Sequence, residues 1–411
     1  MSDFITSDMK TCFTERGWCI IKGVIPKPHR ITRSVIKEVT ECVFRKEEEI
    51  KAIEKLTAKG IDPLNLLTDM ALREKYLPNP KCIWYNNNIR TPIVAKSNGI
   101  ANIYFNKRVR DKVLFNPDVY NAINCLYKTF SDEDVIHLYG PERVCVKAQG
   151  STDMPRHIDC DLLLQSASNK KIIPSAATHP ETMFRIQSIG CLQIDSKEKH
   201  NGRTEVLAGY HKYFKLGALY FKDCIKASEA VSGRNFFPIV VQEVFAKHLD
   251  TFKEYITEFY DKKGKLLPFE KTPLANTKTS KKKSKKEKKD NTLSPRAVYD
   301  SLPKKIVEIE YTQPVVEDGD ILCFDQRLPH RNTKNKSSIA RVACFISLYP
   351  NSYLQKDDIS PCDIFEGNVC KMRKFNVNDL ERDYYEDVWE ERVSFKKSSI
   401  IRKMLGLPLK K

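Results

Sequence analysis

Histidine is scarce in this chain, with eight among 411 residues, and no two cysteines stand at the CxxC spacing of a zinc ribbon or dithiol redox site. Those two classes are thereby excluded. The 13 cysteines are scattered and odd in number, and Cys145, Cys191, Cys323 and Cys344 sit inside apolar, strand-like runs. They read as reduced, buried small hydrophobes of a reducing compartment, not as a disulfide framework. No run approaches the roughly 20 apolar residues of a membrane-spanning helix. The opening "MSDFITSDMKTCF" has no apolar stretch suited to a signal peptide. The expectation is an intracellular protein, cytoplasmic or nuclear, with no membrane span. No internal repeat is visible either.

Acidic residues are also short. There are 53 Asp and Glu against 70 Lys and Arg, for a net charge of +17. Residues 278–289, "KTSKKKSKKEKK", hold eight Lys and one Glu and so contribute +7 of it. The remaining +10 is still basic, and such a surplus favours polyanions, nucleic acid among them. The plain alternative is a solvated lysine loop. No aromatic residue is interleaved with the lysines, so a stacking platform for single strands is not indicated. The run also has the composition of a nuclear-localisation signal.

What the chain does have is enough apolar residue, 41%, to bury a sizeable core. "CFTERGWCIIKGVI" (12–25) reads as a helix end, a glycine and a short strand, Trp18–Ile21. Residues 28–58 have the spacing of a charged amphipathic helix, and "DVYNAINCLY" places apolar residues at 119, 120, 123, 126 and 127 on one helical face. From "ERVCVKAQ" onward short strands alternate with turns. Strands are expected at 143–148, 157–164, 183–194, 204–207, 306–311, 320–324 and 340–349. A helix at 236–260 and a Lys-rich flexible loop at 271–296 interrupt them. The divisions expected are an N-terminal helical region with an entry strand (1–140), a strand-rich core (141–350) and a C-terminal helical extension (351–411).

One stretch asks for a metal. In "DMPRHIDCDL" (153–162), His157 stands two residues before Asp159. On a strand, residues i and i+2 share a face, so both can reach one ion. Imidazole plus carboxylate suits Fe(II), Mn or Zn. Alone the pattern is weak, and a distal histidine is needed. "EDGDILCFDQRLPHRNTKNKSSIARVACFISLYP" (317–350) supplies His330, and Arg341 opens the next strand eleven residues later. Two His and one carboxylate on one side of a metal form the facial triad of non-haem iron oxygenases. The bland readings are that His157 and His330 are satisfied core histidines, that Arg341 is a surface strand residue, that Asp161 is a solvated neighbour, and that Lys147 is solvent-exposed. His211, in "GYHKYF", is expected to cap or pack its turn.

With HxD, a distal His and an Arg in that order, the chain resembles the Fe(II)/2-oxoglutarate-dependent dioxygenases, and most closely their phytanoyl-CoA dioxygenase-like branch. Four blocks carry the likeness: "FTERGWCIIKGVI" (13–25), "RHIDCD" (156–161), "HNGRTEVLAGYHK" (200–212) and "GDILCFDQRLPHRNTKNKSSIARVACFISLYP" (319–350). Together they cover roughly a sixth of the chain. Relative to that pattern, the stretch between His211 and His330 is lengthened, and Tyr210 stands where a small residue is usual. The resemblance implies a mostly β fold with peripheral helices (α+β), built on a double-stranded β-helix (jelly-roll) core. It implies Fe(II) on His157, Asp159 and His330, 2-oxoglutarate held through its 5-carboxylate by Arg341, and ascorbate as reductant. The implied reaction hydroxylates a substrate with release of succinate and carbon dioxide. The competing reading is a catalytically silent scaffold of the same fold, or a basic nucleic-acid-associated protein.

Overall fold

A computed structural model of the protein describes residues 4–350 apart from 44–46, 68, 78–92, 97–99, 105–106, 131–134, 138–142, 155, 159–185, 222–237, 277–293 and 347. Asp159, Asp161, most of the Lys-rich run and the tail 351–411 therefore lie outside the described residues.

Twelve strands are described: β1 (Trp18–Ile21), β2 (Ile93–Lys96), β3 (Ile100–Tyr104), β4 (Val135–His137), β5 (Arg143–Lys147), β6 (Ile186–Gln193), β7 (Thr204–Ala208), β8 (Glu310–Thr312), β9 (Ile321–Asp325), β10 (His330–Asn332), β11 (Arg341–Ile346) and β12 (Leu348–Pro350). Seven form one antiparallel sheet in the order β1-β9-β6-β11-β5-β3-β2; a second sheet runs β10-β7-β8, and β12 pairs with β4. The architecture is a mixed α+β fold of antiparallel sheets. This is coarser than the jelly-roll expected, because the described strands do not close into a barrel.

Strands of the large sheet are apolar at nearly every position because both of its faces are covered. Their residues alternate between two cores, as a strand period of two requires. Cys19, Val144, Val146, Ile186, Ile321, Val342 and Cys344 join one core with helical residues Ile31, Val35, Val119, Ile123 and Leu126. Ile189, Cys191, Leu322, Phe324 and Ala343 point the other way, into a second core with Val206 of β7, Leu328, Phe252 and Phe259. The small sheet thus packs on the second face of the large one. The buried cysteines are free thiols, as expected.

Local signals account for the helices. In α1 (Ser7–Arg16) the Thr6 side chain accepts from the Met9 amide, and Gly17 ends the helix in the left-handed region at φ 81°. The amphipathic stretch 28–58 is two helices, α2 (Pro28–Val43) and α3 (Glu47–Ala58). The helix Pro117–Lys128 opens with Asn116 capping and proline in its first turn, and buries Val119, Tyr120, Ile123, Leu126 and Tyr127. The helix Pro238–Thr257 lies where the spacing placed it. Of the segment 271–296, residues 273–276 form a 3-10 turn with Leu274 buried, and a short helix begins at Pro295. Among the described residues, no helix is long and apolar enough to cross a membrane.

Candidate functional site

The two histidines of the expected metal site are neighbours. His157 and His330 face each other across a one-rung antiparallel bridge, with each amide donating to the other's carbonyl at 2.9 and 2.8 Å. Their rings lie 4.3 Å apart between centroids. Imidazole nitrogens on a common ion sit about 3 Å apart, because each metal–nitrogen bond is roughly 2.0–2.1 Å; the two rings, tilted at 51° to each other, are near enough to approach one ion. His330 donates from Nδ1 to the Leu328 carbonyl at 3.0 Å. A carbonyl only accepts, so that bond puts the ring proton on Nδ1, the tautomer in which Nε2 is the acceptor nitrogen. Phe324 of the large sheet packs on the same ring at 4.9 Å. Ile158 is buried and His157 half-buried. Among the described residues no three His, Cys, Asp or Glu side chains converge on one point; the third expected ligand, Asp159, is not among them.

Arg341 opens β11 and its side chain reaches across to the small sheet. It is buried, 4% exposed, and its Nη2 lies 3.4 Å from the Thr204 hydroxyl. Its Nη1 is buried with no hydrogen-bond partner among the described residues. Thr204 pairs in register with Asn332, and Val206 with His330. Arg341 therefore approaches the small sheet one same-face step from the histidine rung. That step is two residues, about 7 Å at 3.2–3.4 Å per residue.

The expected exposure of Lys147 is corrected by the structure. It is fully buried, because β5 is covered on both faces and Lys147 is in register with Arg341. Its ammonium donates to the Asn332 carbonyl at 3.2 Å and to the Thr333 carbonyl. Burial, and then the Arg341 charge, pull its pKa down to about 7. The turn before β7 makes room for this pair. At Gly202, φ 78°, a Cβ would lie 3.3 Å from Lys147 and 3.4 Å from Arg341.

His211 does pack its turn. It is 9% exposed, and its Nε2 lies 3.2 Å from the Thr14 carbonyl of α1. Burial lowers its pKa to about 4, so it is a neutral structural group.

Neither a family model nor a curated protein matches the chain. Solved structures do. EctD from S. alaskensis with 2-oxoglutarate and 5-hydroxyectoine matches over 86% of this chain and 79% of its own, at 13% identity and TM-score 0.39. HygX from Streptomyces hygroscopicus with nickel, 2-oxoglutarate and hygromycin B matches over 84% and 88%, at 10% identity and TM-score 0.36. SnoK, a non-heme alpha ketoglutarate dependent carbocyclase from nogalamycin biosynthesis, matches over 83% and 82%, at 10% identity and TM-score 0.31. The structural neighbours are 2-oxoglutarate oxygenases at low identity. With every TM-score below 0.5, they decide neither the fold nor the reaction here, and any assignment rests on the side chains.

The side chains fit the implied groups. Two adjacent histidine rings suit a borderline divalent metal. A buried guanidinium with an unpaired nitrogen, beside a second buried cation, suits a carboxylate. Lys147, Thr204 and Gly202 were not singled out as site residues by sequence. The only signal for them was their place in the blocks "ERVCVKAQ" and "HNGRTEV", where nothing distinguishes an inward lysine from an outward one.

Proposed function

We propose that the protein is an Fe(II)/2-oxoglutarate-dependent oxygenase that hydroxylates a substrate with release of succinate and carbon dioxide. On this reading the two facing sheets are the halves of a double-stranded β-helix, with the site between them. The observation that carries it is the unpartnered Nη1 of buried Arg341, about 7 Å along the sheet from the histidine rung. A buried guanidinium without a counter-charge is costly. A short diacid with one end on the metal and the other on Arg341 would relieve that cost.

His157, Asp159 and His330 would hold the iron, which with bound 2-oxoglutarate supplies the oxidising chemistry. The chain's own residues perform the rest. Leu328 orients the His330 ring through its carbonyl. Arg341 binds the distal carboxylate as a fork, and the Thr204 hydroxyl beside Nη2 fixes the fork's plane. Lys147 adds a second positive charge and ties the end of β10 to β5. Ile189, Leu322 and Phe324 form an apolar wall on the large sheet that keeps water from the histidines. The lysine run at 278–289 would add a contact for a polyanion, nucleic acid being the natural candidate.

The test is succinate formation from 2-oxoglutarate by the purified chain with Fe(II), ascorbate and oxygen. Wild type is expected to give slow uncoupled turnover, lost in His157→Ala and reduced at least about tenfold in Arg341→Gln. No succinate, together with no calorimetric binding of Fe(II) or 2-oxoglutarate, would leave the silent-scaffold reading as the better account.

A further inference from the structure

The face of the small sheet opposite the histidines carries a cluster that the proposed reaction does not use. Arg156 immediately precedes His157, and Arg331 immediately follows His330. Strand alternation turns both away from the histidine rings. Both converge on one buried carboxylate, Glu205 of β7. Arg331 is in direct register with Glu205 and donates to it through Nε at 2.8 Å and Nη2 at 3.2 Å. Arg156 donates to the same carboxylate through Nε, with both its Nε and Nη2 at 3.0 Å. The Arg156 guanidinium also stacks 3.7 Å over the Tyr311 ring. Glu205 is 9% exposed, against 24% and 23% for the two arginines.

This cluster stands behind a short strand pairing. Among the described residues, the segment carrying His157 is joined to β10 by a single bridge rung and by the Met154 amide on the Asn332 carbonyl. β10 itself is only three residues long. Two or three backbone bonds do not fix the separation of two rings well.

Resting on the metal reading above, we propose that Glu205 is a positioning residue. It acts as an anionic clip that draws the backbones of the two histidine-bearing segments together from behind, and so sets the ring spacing that one metal ion bridges. The carboxylate accepts from both guanidiniums at once, so one anion ties the two arginines together. Without it, two partly buried cations would face each other and push the segments apart. Asp153, 3.7 Å from Arg331, is a weaker partner, because it is exposed and screened by solvent.

The experiment is Co(II) binding to the metal-free full-length chain, followed by calorimetry and by the visible ligand-field spectrum, with urea unfolding in parallel. Wild type should bind one Co(II), and His330→Ala should not. Glu205→Gln should weaken binding at least about tenfold and change the band shape. Arg156→Gln, at a more exposed position, should weaken binding in the same direction with little loss of stability. The double variant should be little worse than Glu205→Gln alone, as expected of groups acting as a unit. Wild-type affinity and spectrum in both single variants would overturn the clip while leaving the metal site standing. No Co(II) binding by wild type would overturn the metal reading, and the clip with it. If Glu205→Gln fails to fold, Arg156→Gln alone decides.

Discussion

His211 shows how one residue sets a pH limit on the fold. Its pKa is lowered from 6.5 to about 4 because burial disfavours the imidazolium. Below pH 6.5 the unfolded chain takes up a proton that the folded chain refuses, so stability is full above 6.5 and lost as pH falls toward 4. At 1.36 kcal/mol per unit the loss is about 3 kcal/mol. Urea midpoints between pH 7 and 4 should fall steeply in wild type and less steeply in His211→Gln; parallel curves would show that other groups govern the acid limb. The same residue marks what sequence could tell about the site. His157, His330 and Arg341 could be singled out as candidates because their types and order have few other uses. Lys147 was not, since a lysine on a strand is usually exposed, and only the covering of both faces of β5 reverses that. Glu205 was invisible for a similar reason: its partners are adjacent to the histidines in sequence but meet it only across two strand pairings.

At the scale of elements, the long periodic segments were readable and most short ones were not, β1 (Trp18–Ile21) being a short strand that was read. The helix 117–128 and strands β5, β6, β9 and β11 carry five or more residues of pattern. β10 and β12 have three residues each, too few to show a period; β10 is templated by the longer β7, and β12 pairs with the equally short β4. The junction between α1 and β1 is better specified. Gly17 takes φ 81°, and a Cβ there would come 2.6 Å from Nδ1 of buried His211. Gly23 also has positive φ, at 61°, but nothing lies within 4 Å of its missing Cβ. Left-handed backbone costs an L-residue roughly 1–2 kcal/mol. Gly23→Ala should therefore lose about 1 kcal/mol, whereas Gly17→Ala should lose about 3 kcal/mol, because a clash adds to the strain. Equal losses in urea unfolding would mean that α1 shifts freely on the sheet, and that His211 is no fixed post.

The whole molecule carries its charge unevenly. The twelve residues 278–289, with eight Lys and one Glu, supply +7 of the net +17. The chain is anchored on either side of them, with Leu274 and Val298 both buried in the second core. Editing the run should therefore leave the packed sheets unchanged. Replacing the eight lysines by serine lowers the net charge from +17 to +9. Polyanion affinity falls with salt at a slope of about −0.9 per phosphate neutralised on duplex DNA, so losing clustered lysines should lower both the affinity and the slope. The variant is expected to elute from heparin at lower salt, and its plot of affinity against salt on duplex DNA should be flatter. Uncoupled succinate formation should be unchanged, since the proposed site draws on Arg341 and Lys147 and not on the run. An unchanged elution and slope would assign polyanion affinity to the dispersed +10. A loss of succinate with the lysines would instead tie the run to the oxygenase site, and the two roles would have to be treated as one.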